Sequence, residues 1–264
     1  MKKVFFTTFI TALITIQSYS QEKKLIYVDE NYKEINFKKF KSKFKSEVFF
    51  VVVAETDSVI YKKLRFKEYF GKLDIKKKSQ LNKLFFKRVD IDTTKIWLIH
   101  YLDSLPDIKF MPKKSKIILL DSLNKPVGER IIKKLYKKCT IVFSSKKTFG
   151  NKHLHAISYI DFKKNISYEI NKIKKYQNVT LLHFYEENKG YPIENDKWLK
   201  DYNSILKKTF NDGMQTYRTI IIYPDGEFYA SSMHKCNFNE KALINKKKFK
   251  KLKKQFIRNY SIYN

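Results

Sequence analysis

Val179-Thr180-Leu181-Leu182-His183-Phe184-Tyr185 is an uninterrupted apolar run in an otherwise lysine-rich chain. Runs of this length and composition read as strands covered on both faces. Downstream of it the pattern predicts a loop over Glu186 to Asp196, a helix over Lys197 to Phe210 and a strand over Tyr217 to Tyr223. Pro224-Asp225-Gly226 then reads as a turn into a second strand, Glu227 to Ser232. An apolar strand, a crossover helix and a turn-linked strand pair make one α/β unit, which sets the fold class as α/β.

Similar pieces occur on either side. Lys24 to Asp29 predicts a strand, and Ile35, Phe37, Phe40 and Phe44 recur at near-helical spacing. Glu47 to Ala54 is a second β-branched and aromatic run. Val59 to Phe86 reads as mostly helical with a break at Gly71. Lys95 to Leu102 and Lys116 to Leu120 predict strands, and Glu129 to Lys138 a short helix. Thr140 to Ser144 and Leu154 to Asp161 predict strands, followed by a helix over Ile166 to Tyr176. Glu240 to Tyr260 closes the chain as a long basic helix.

Laid side by side, the two halves share one plan. Each has a strand–helix step, a buried strand running into an acidic loop (Glu55-Thr56-Asp57; Glu186-Glu187-Asn188), then helix, strand, strand and helix. The expectation is a signal segment over 1–20 and two α/β domains, 21–147 and 148–264. One undivided domain is the alternative.

The order β-α-β-α-β-β-α resembles the thioredoxin-like fold, here in one copy or two tandem copies. Leu181-Leu182-His183-Phe184-Tyr185 resembles the family's strand entering its active loop, and Ile220 to Glu227 its strand–Asp-Gly–strand hairpin. The resemblance implies a site in the loop after Tyr185. It does not carry the chemistry. A thioredoxin places Cys-x-x-Cys after that strand, where a helix N-terminus lowers the first thiol's pKa. Glu186, Glu187, Asn188, Lys189 and Gly190 stand there instead. The family's cis-proline before the next strand is replaced by Tyr217-Arg218-Thr219. The resemblance therefore implies a member without oxidoreductase activity.

The first residues predict export. Lys2 and Lys3 precede the apolar run Val4 to Ile16, with Ser18 and Ser20 ahead of a cut before Gln21. As a helix that run spans roughly 20 Å, short of a roughly 30 Å hydrocarbon core, so it reads as a cleaved signal. No later stretch predicts a transmembrane segment. The expected location is periplasmic or extracellular.

The net charge is +30, yet only Arg65, Arg88, Arg130, Arg218 and Arg258 among the 56 basic residues are arginine. Readers of bases and phosphates favour the bidentate guanidinium, and export removes nucleic acid as a partner. Attraction to an anionic envelope surface, or to another envelope protein, is what the charge supports.

Candidate chemistry is sparse. Cys139 and Cys236 permit a disulfide in an oxidising compartment, or stand as two buried thiols. His153-x-His155 and His234-x-Cys236 each project two donors from one strand face, and with His183 these could supply a zinc site. Scattered histidines are the simpler account, so no metal is expected. The six glycines form no phosphate-binding cluster, and no cofactor is expected. Ligands of open α/β sheets bind beyond the carboxyl ends of strands, which nominates His183, Tyr185, Glu186, Glu187 and Trp198 as binding residues.

The leading expectation is an exported, basic, non-catalytic binding or scaffold protein of the cell envelope. One alternative is a hydrolase or metal-dependent enzyme with its site after Tyr185. The other is a peripheral membrane protein held by the C-terminal helix through Leu243, Phe249, Leu252 and Phe256.

Overall fold

The computed structural model describes residues 23–46, 48–89, 91–121, 125–131, 146–148, 151–195, 197–210, 217–232 and 240–263. Two compact units divide after Arg65. Cys139, His234 and Cys236 lie outside the described residues, as does the predicted strand at Thr140 to Ser144.

The first unit is a three-stranded sheet in the order β1-β3-β2, formed by β1 (Lys24–Val28), β2 (Phe49–Glu55) and β3 (Val59–Phe66). β1 runs parallel to β3. Helix α1 (Phe37–Phe44) is started by the Asn36 side chain, which accepts from the Lys39 amide at 2.9 Å. Phe40 packs on Tyr27 with ring centroids 4.7 Å apart. Behind them Lys43 and Glu30 form an ion pair of 2.8 Å, their side chains only 2% and 1% exposed. Lys63 is also buried; desolvation, reinforced by the charge of Arg65 and opposed by Asp29, pulls its pKa down to about 7.

The second unit is mixed α/β. Its main sheet has six strands in the order β11-β10-β5-β12-β13-β4. The strands are β4 (Glu68–Lys72), β5 (Ile96–Leu105), β10 (Val179–Asn188), β11 (Trp198–Lys200), β12 (Thr219–Ile222) and β13 (Glu227–Ser231). β10 is parallel to both β5 and β11, whereas β5–β12, β12–β13 and β13–β4 are antiparallel. β5 and β10 come from opposite sides of the boundary expected near residue 147, so the two expected halves share one sheet.

Helices cover both faces, which explains why the central strands are apolar without alternation. On one face α2 (Ile75–Val89) and α4 (Ile205–Phe210) bring Leu81, Phe85, Leu206 and Phe210 onto Trp97, Ile99, Phe184 and Ile220. On the other lie α3 (Tyr159–Ile173), α5 (Glu240–Ile244) and α6 (Lys246–Ser261). Phe249 of α6 is fully buried among Phe70, Leu98 and Ile221, with Leu252 and Phe256 beside it. The apolar stripe of the terminal helix is thus spent on the core. No helix among the described residues is long and apolar enough to cross a membrane.

Between β5 and α3 the chain makes an excursion. β6 (Lys116–Leu120), β7 (Pro126–Ile131), β8 (Lys146–Thr148) and β9 (Asn151–Ala156) form a separate antiparallel sheet, ordered β7-β6-β9-β8. His153 and His155 are on β9, opposite Leu119 and Ile117 of β6.

Several predicted elements come out differently, among them Leu154 to Asp161, whose last three residues begin α3. Val59 to Phe86, expected as helix, is β3, β4 and then α2. Gly71 is no helix break but a strand residue, where a Cβ would come within 2.5 Å of the Phe228 ring. Lys197 to Phe210 is helical only from Ile205, because Asn203 and Ser204 take positive φ values of 57° and 50°. Pro126 to Ile131 is a strand paired with β6, so the helix expected from Glu129 does not begin there.

Candidate functional site

β10 runs on through Asn188, so Glu186 and Glu187 are strand residues rather than a loop. Successive strand side chains point to opposite faces, and the two carboxylates therefore do not share a pocket. Glu186 is paired with Lys207 at 2.6 Å and accepts from Ser204 Oγ at 3.3 Å. Glu187 is exposed, 3.9 Å from Lys189. His183, Tyr185 and Trp198 are all buried. His183 and Trp198 meet edge to face at 5.1 Å, and Tyr185 shares a buried cluster with Trp198, Phe162, Ile166 and Tyr191.

The loop itself begins at Lys189. Its amide donates to Leu105 O at 3.1 Å, tying the end of β10 to the end of β5. Gly190 comes next at φ +131°, and a Cβ there would meet the Asp107 carboxyl carbon at 2.7 Å. Asp107 in turn starts the short turn Ile108–Phe110 by accepting from the Lys109 amide at 2.9 Å.

These contacts frame a cleft of about 420 Å³ at the carboxyl end of β5. Pro106, Phe110, Met111 and Ile157 give it an apolar lining; Asp103, Asp107, Lys189 and Arg218 add charge. Phe110 is 88% exposed, an aromatic ring held in water at the rim. Arg218 is fixed by its backbone: its carbonyl accepts from Tyr101 N and its amide donates to Ser231 O, each at 2.9 Å. Burial lowers the Arg218 pKa, and the charge of Asp103 opposes that shift. The Lys207 pKa is raised by its hydrogen bond to Glu186, with Asp103 and Asp201 adding to it. Asp201 accepts from the amides of Leu206 and Lys207, both at 3.0 Å, and from the Tyr101 hydroxyl at 3.1 Å. Burial and the Asp201 charge push the Tyr101 pKa well above its ordinary value.

A second cluster sits beneath α3. His100 of β5 and His183 of β10 are register partners, so both imidazoles leave the sheet on the α3 side, 5.3 Å apart. Glu169 of α3 comes down onto them, with Oε2 2.9 Å from His100 Nδ1 and 3.8 Å from His183 Nε2. Burial alone would raise the Glu169 pKa; the charge and hydrogen bonds of the two histidines outweigh it and hold the carboxyl at about 2.

Of the residues predicted for a metal, His183 enters this cluster; His234 and Cys236 lie outside the described residues. His100 and Glu169 were missed. The signal was present for both: Phe162, Ile166, Glu169 and Ile173 recur at helical spacing on α3, with the acid at an apolar position. His100 likewise interrupts an apolar strand.

No family model, curated protein or solved structure matches the chain.

Proposed function

We propose that the protein is an exported, non-catalytic binding module of the cell envelope whose second unit is a single thioredoxin-like domain lacking the redox pair. What supports the fold reading is the chain order β5-α3-β10-α4-β12-β13-α6, which is β-α-β-α-β-β-α with the β6–β9 sheet inserted after the first strand. In that reading β5, not β10, is the strand that enters the family's active loop. Pro106 to Pro112 come after it and contain no cysteine. Arg218, immediately before β12, stands where the family has its cis-proline, and no described peptide bond is cis.

The observation that carries the binding reading is that both positions line one cleft, Asp107 from the loop after β5 and Arg218 from just before β12. A guanidinium beside exposed apolar surface suits a ligand with a carboxylate next to an apolar side chain, such as a peptide segment of another envelope protein. A panel of short peptides with a free carboxylate beside Leu, Phe or Val is the probe, read by isothermal titration. Binding that falls about tenfold or more in Arg218→Ala, the loss of one charged hydrogen-bonding group, is the expected result. Binding equal in the two proteins, or none across the panel, removes the proposal. Export is tested separately by sequencing the amino terminus of protein recovered outside the cytoplasm, with Gln21 expected first.

The stripe of Leu243, Phe249, Leu252 and Phe256 packs on the sheet, so the membrane-held alternative has only the charged face of α6 to use.

A further inference from the structure

We propose that His100, Glu169 and His183 form a binding site for a divalent cation of the zinc type, separate from the cleft at the end of β5. Three elements distant in sequence each contribute one donor, and the three ligand atoms lie within 4.8 Å of one another. Two imidazoles and one carboxylate are a donor set that zinc accepts.

The spacing that now holds a hydrogen bond can also admit an ion. Zinc bonds of about 2.0–2.2 Å arranged tetrahedrally place neighbouring donors about 3.3–3.6 Å apart. The Glu169 oxygen is 2.9 Å from one ring nitrogen and 3.8 Å from the other, one on each side of that range. Shifts of a few tenths of an ångström in side chains alone bring both into it. The backbone needs no change, because His100 and His183 are already fixed side by side by the β5–β10 register.

The surroundings are also those of a built site. The donors lie where two apolar clusters meet under α3. Leu98, Ile173 and Val179 are on one side, and Phe162, Ile166 and Trp198 on the other. Such a setting keeps competing water away from the ligands. It is not sealed: side-chain exposures are 15% for His100, 10% for Glu169 and 5% for His183. His100 is the most exposed of the three, so water that completes the coordination would enter from its side. A bound ion would join α3 to the two central parallel strands.

The test begins with the purified chain, stripped with a chelator and titrated with Zn²⁺ and then Co²⁺. One equivalent is expected to bind. Co²⁺ is expected to give the intense visible bands of a four-coordinate site and to quench Trp198, whose ring centroid is 5.1 Å from that of His183. Trp198→Phe should abolish the quenching while Trp97 still emits. Glu169→Gln and His100→Gln should each weaken Zn²⁺ binding more than about tenfold, since changes even to outer-shell partners cost that much. His153→Ala combined with His155→Ala should leave it unchanged. The quenching experiment keeps the site intact, so it stands even if the ligand variants fail to fold. No bound equivalent, quenching that survives Trp198→Phe, binding that survives Glu169→Gln, or loss in the His153/His155 variant would each overturn the proposal.

Discussion

The carboxylate of Glu169 lies 2.9 Å from Nδ1 of His100, linking helix α3 to the central strand β5 through an otherwise apolar layer. A carboxyl held at about 2, below its ordinary 4.5, stabilises the fold fully above the higher value and progressively less as pH falls through the lower one. The shift corresponds to about 3 kcal/mol. In metal-free protein, Glu169→Gln is therefore expected to lose roughly that much stability at pH 6, with the gap to wild type closing between pH 4.5 and 2. Urea unfolding followed by tryptophan emission at several pH values measures it. A gap that stays constant down to pH 2 contradicts it.

Phe249 touches Phe70 and Tyr223 at ring-centroid distances of 5.4 Å and 4.7 Å. Phe249→Ala should cost about 3–5 kcal/mol. Ile257, on the same helix but half exposed, should cost under about 0.5 kcal/mol on the same change. Equal losses in thermal unfolding would mean that α6 is not anchored through its apolar stripe.

Gly190 and Gly128 make a matched pair. At φ +131°, and with Asp107 in the way, Gly190→Ala should cost about 1–3 kcal/mol and displace the turn that carries Phe110. Gly128 has no such φ, and its nearest neighbour to a new Cβ is Leu119 Cδ1 at 3.8 Å. Gly128→Ala should change stability by less than about 0.5 kcal/mol. Calorimetry on both variants decides the matter.

In the first unit, Lys43→Met leaves the Glu30 carboxylate buried without its ammonium partner. The expected cost is about 3–5 kcal/mol, with most of it recovered when Glu30→Leu is added. Both tryptophans, Trp97 and Trp198, belong to the second unit. Hydrogen exchange at the β1 and β3 amides is therefore the suitable readout, and a double variant no more protected than the single one goes against the expectation.

What could be read from the sequence was whatever local pattern decides. Val179 to Tyr185 emerged as strand, although β10 continues to Asn188, and the Pro224-Asp225-Gly226 hairpin emerged close to its actual limits, because apolar runs and turn residues act over a few neighbours. Val59 to Lys72 did not. Its mixture of basic and apolar residues suits either period, and pairing with β1, β2 and β13 settles it as strand. The cleft lined by Asp107 and Arg218 was not legible for a related reason. Both β5 and β10 read as buried strands, and nothing local says which one meets Arg218. The His100–Glu169–His183 cluster depends on a register between strands and on a helix laid across them, so its members look like unrelated polar interruptions along the chain.

The strand order also governs when this architecture can exist. β4 is the first strand of the six-stranded sheet to be made, and among the described residues its one partner is β13, near the chain's end. β5 likewise waits for β10 and β12. A chain emerging from its amino terminus thus carries Ile96–Leu105 as an unclosed edge until residue 222 is available, and Glu68–Lys72 until residue 231. Long-range pairing of this kind makes folding slow and puts it after synthesis. A nascent or prematurely ended polypeptide therefore stays open and threadable, and the last strands act as the latch that ends that state.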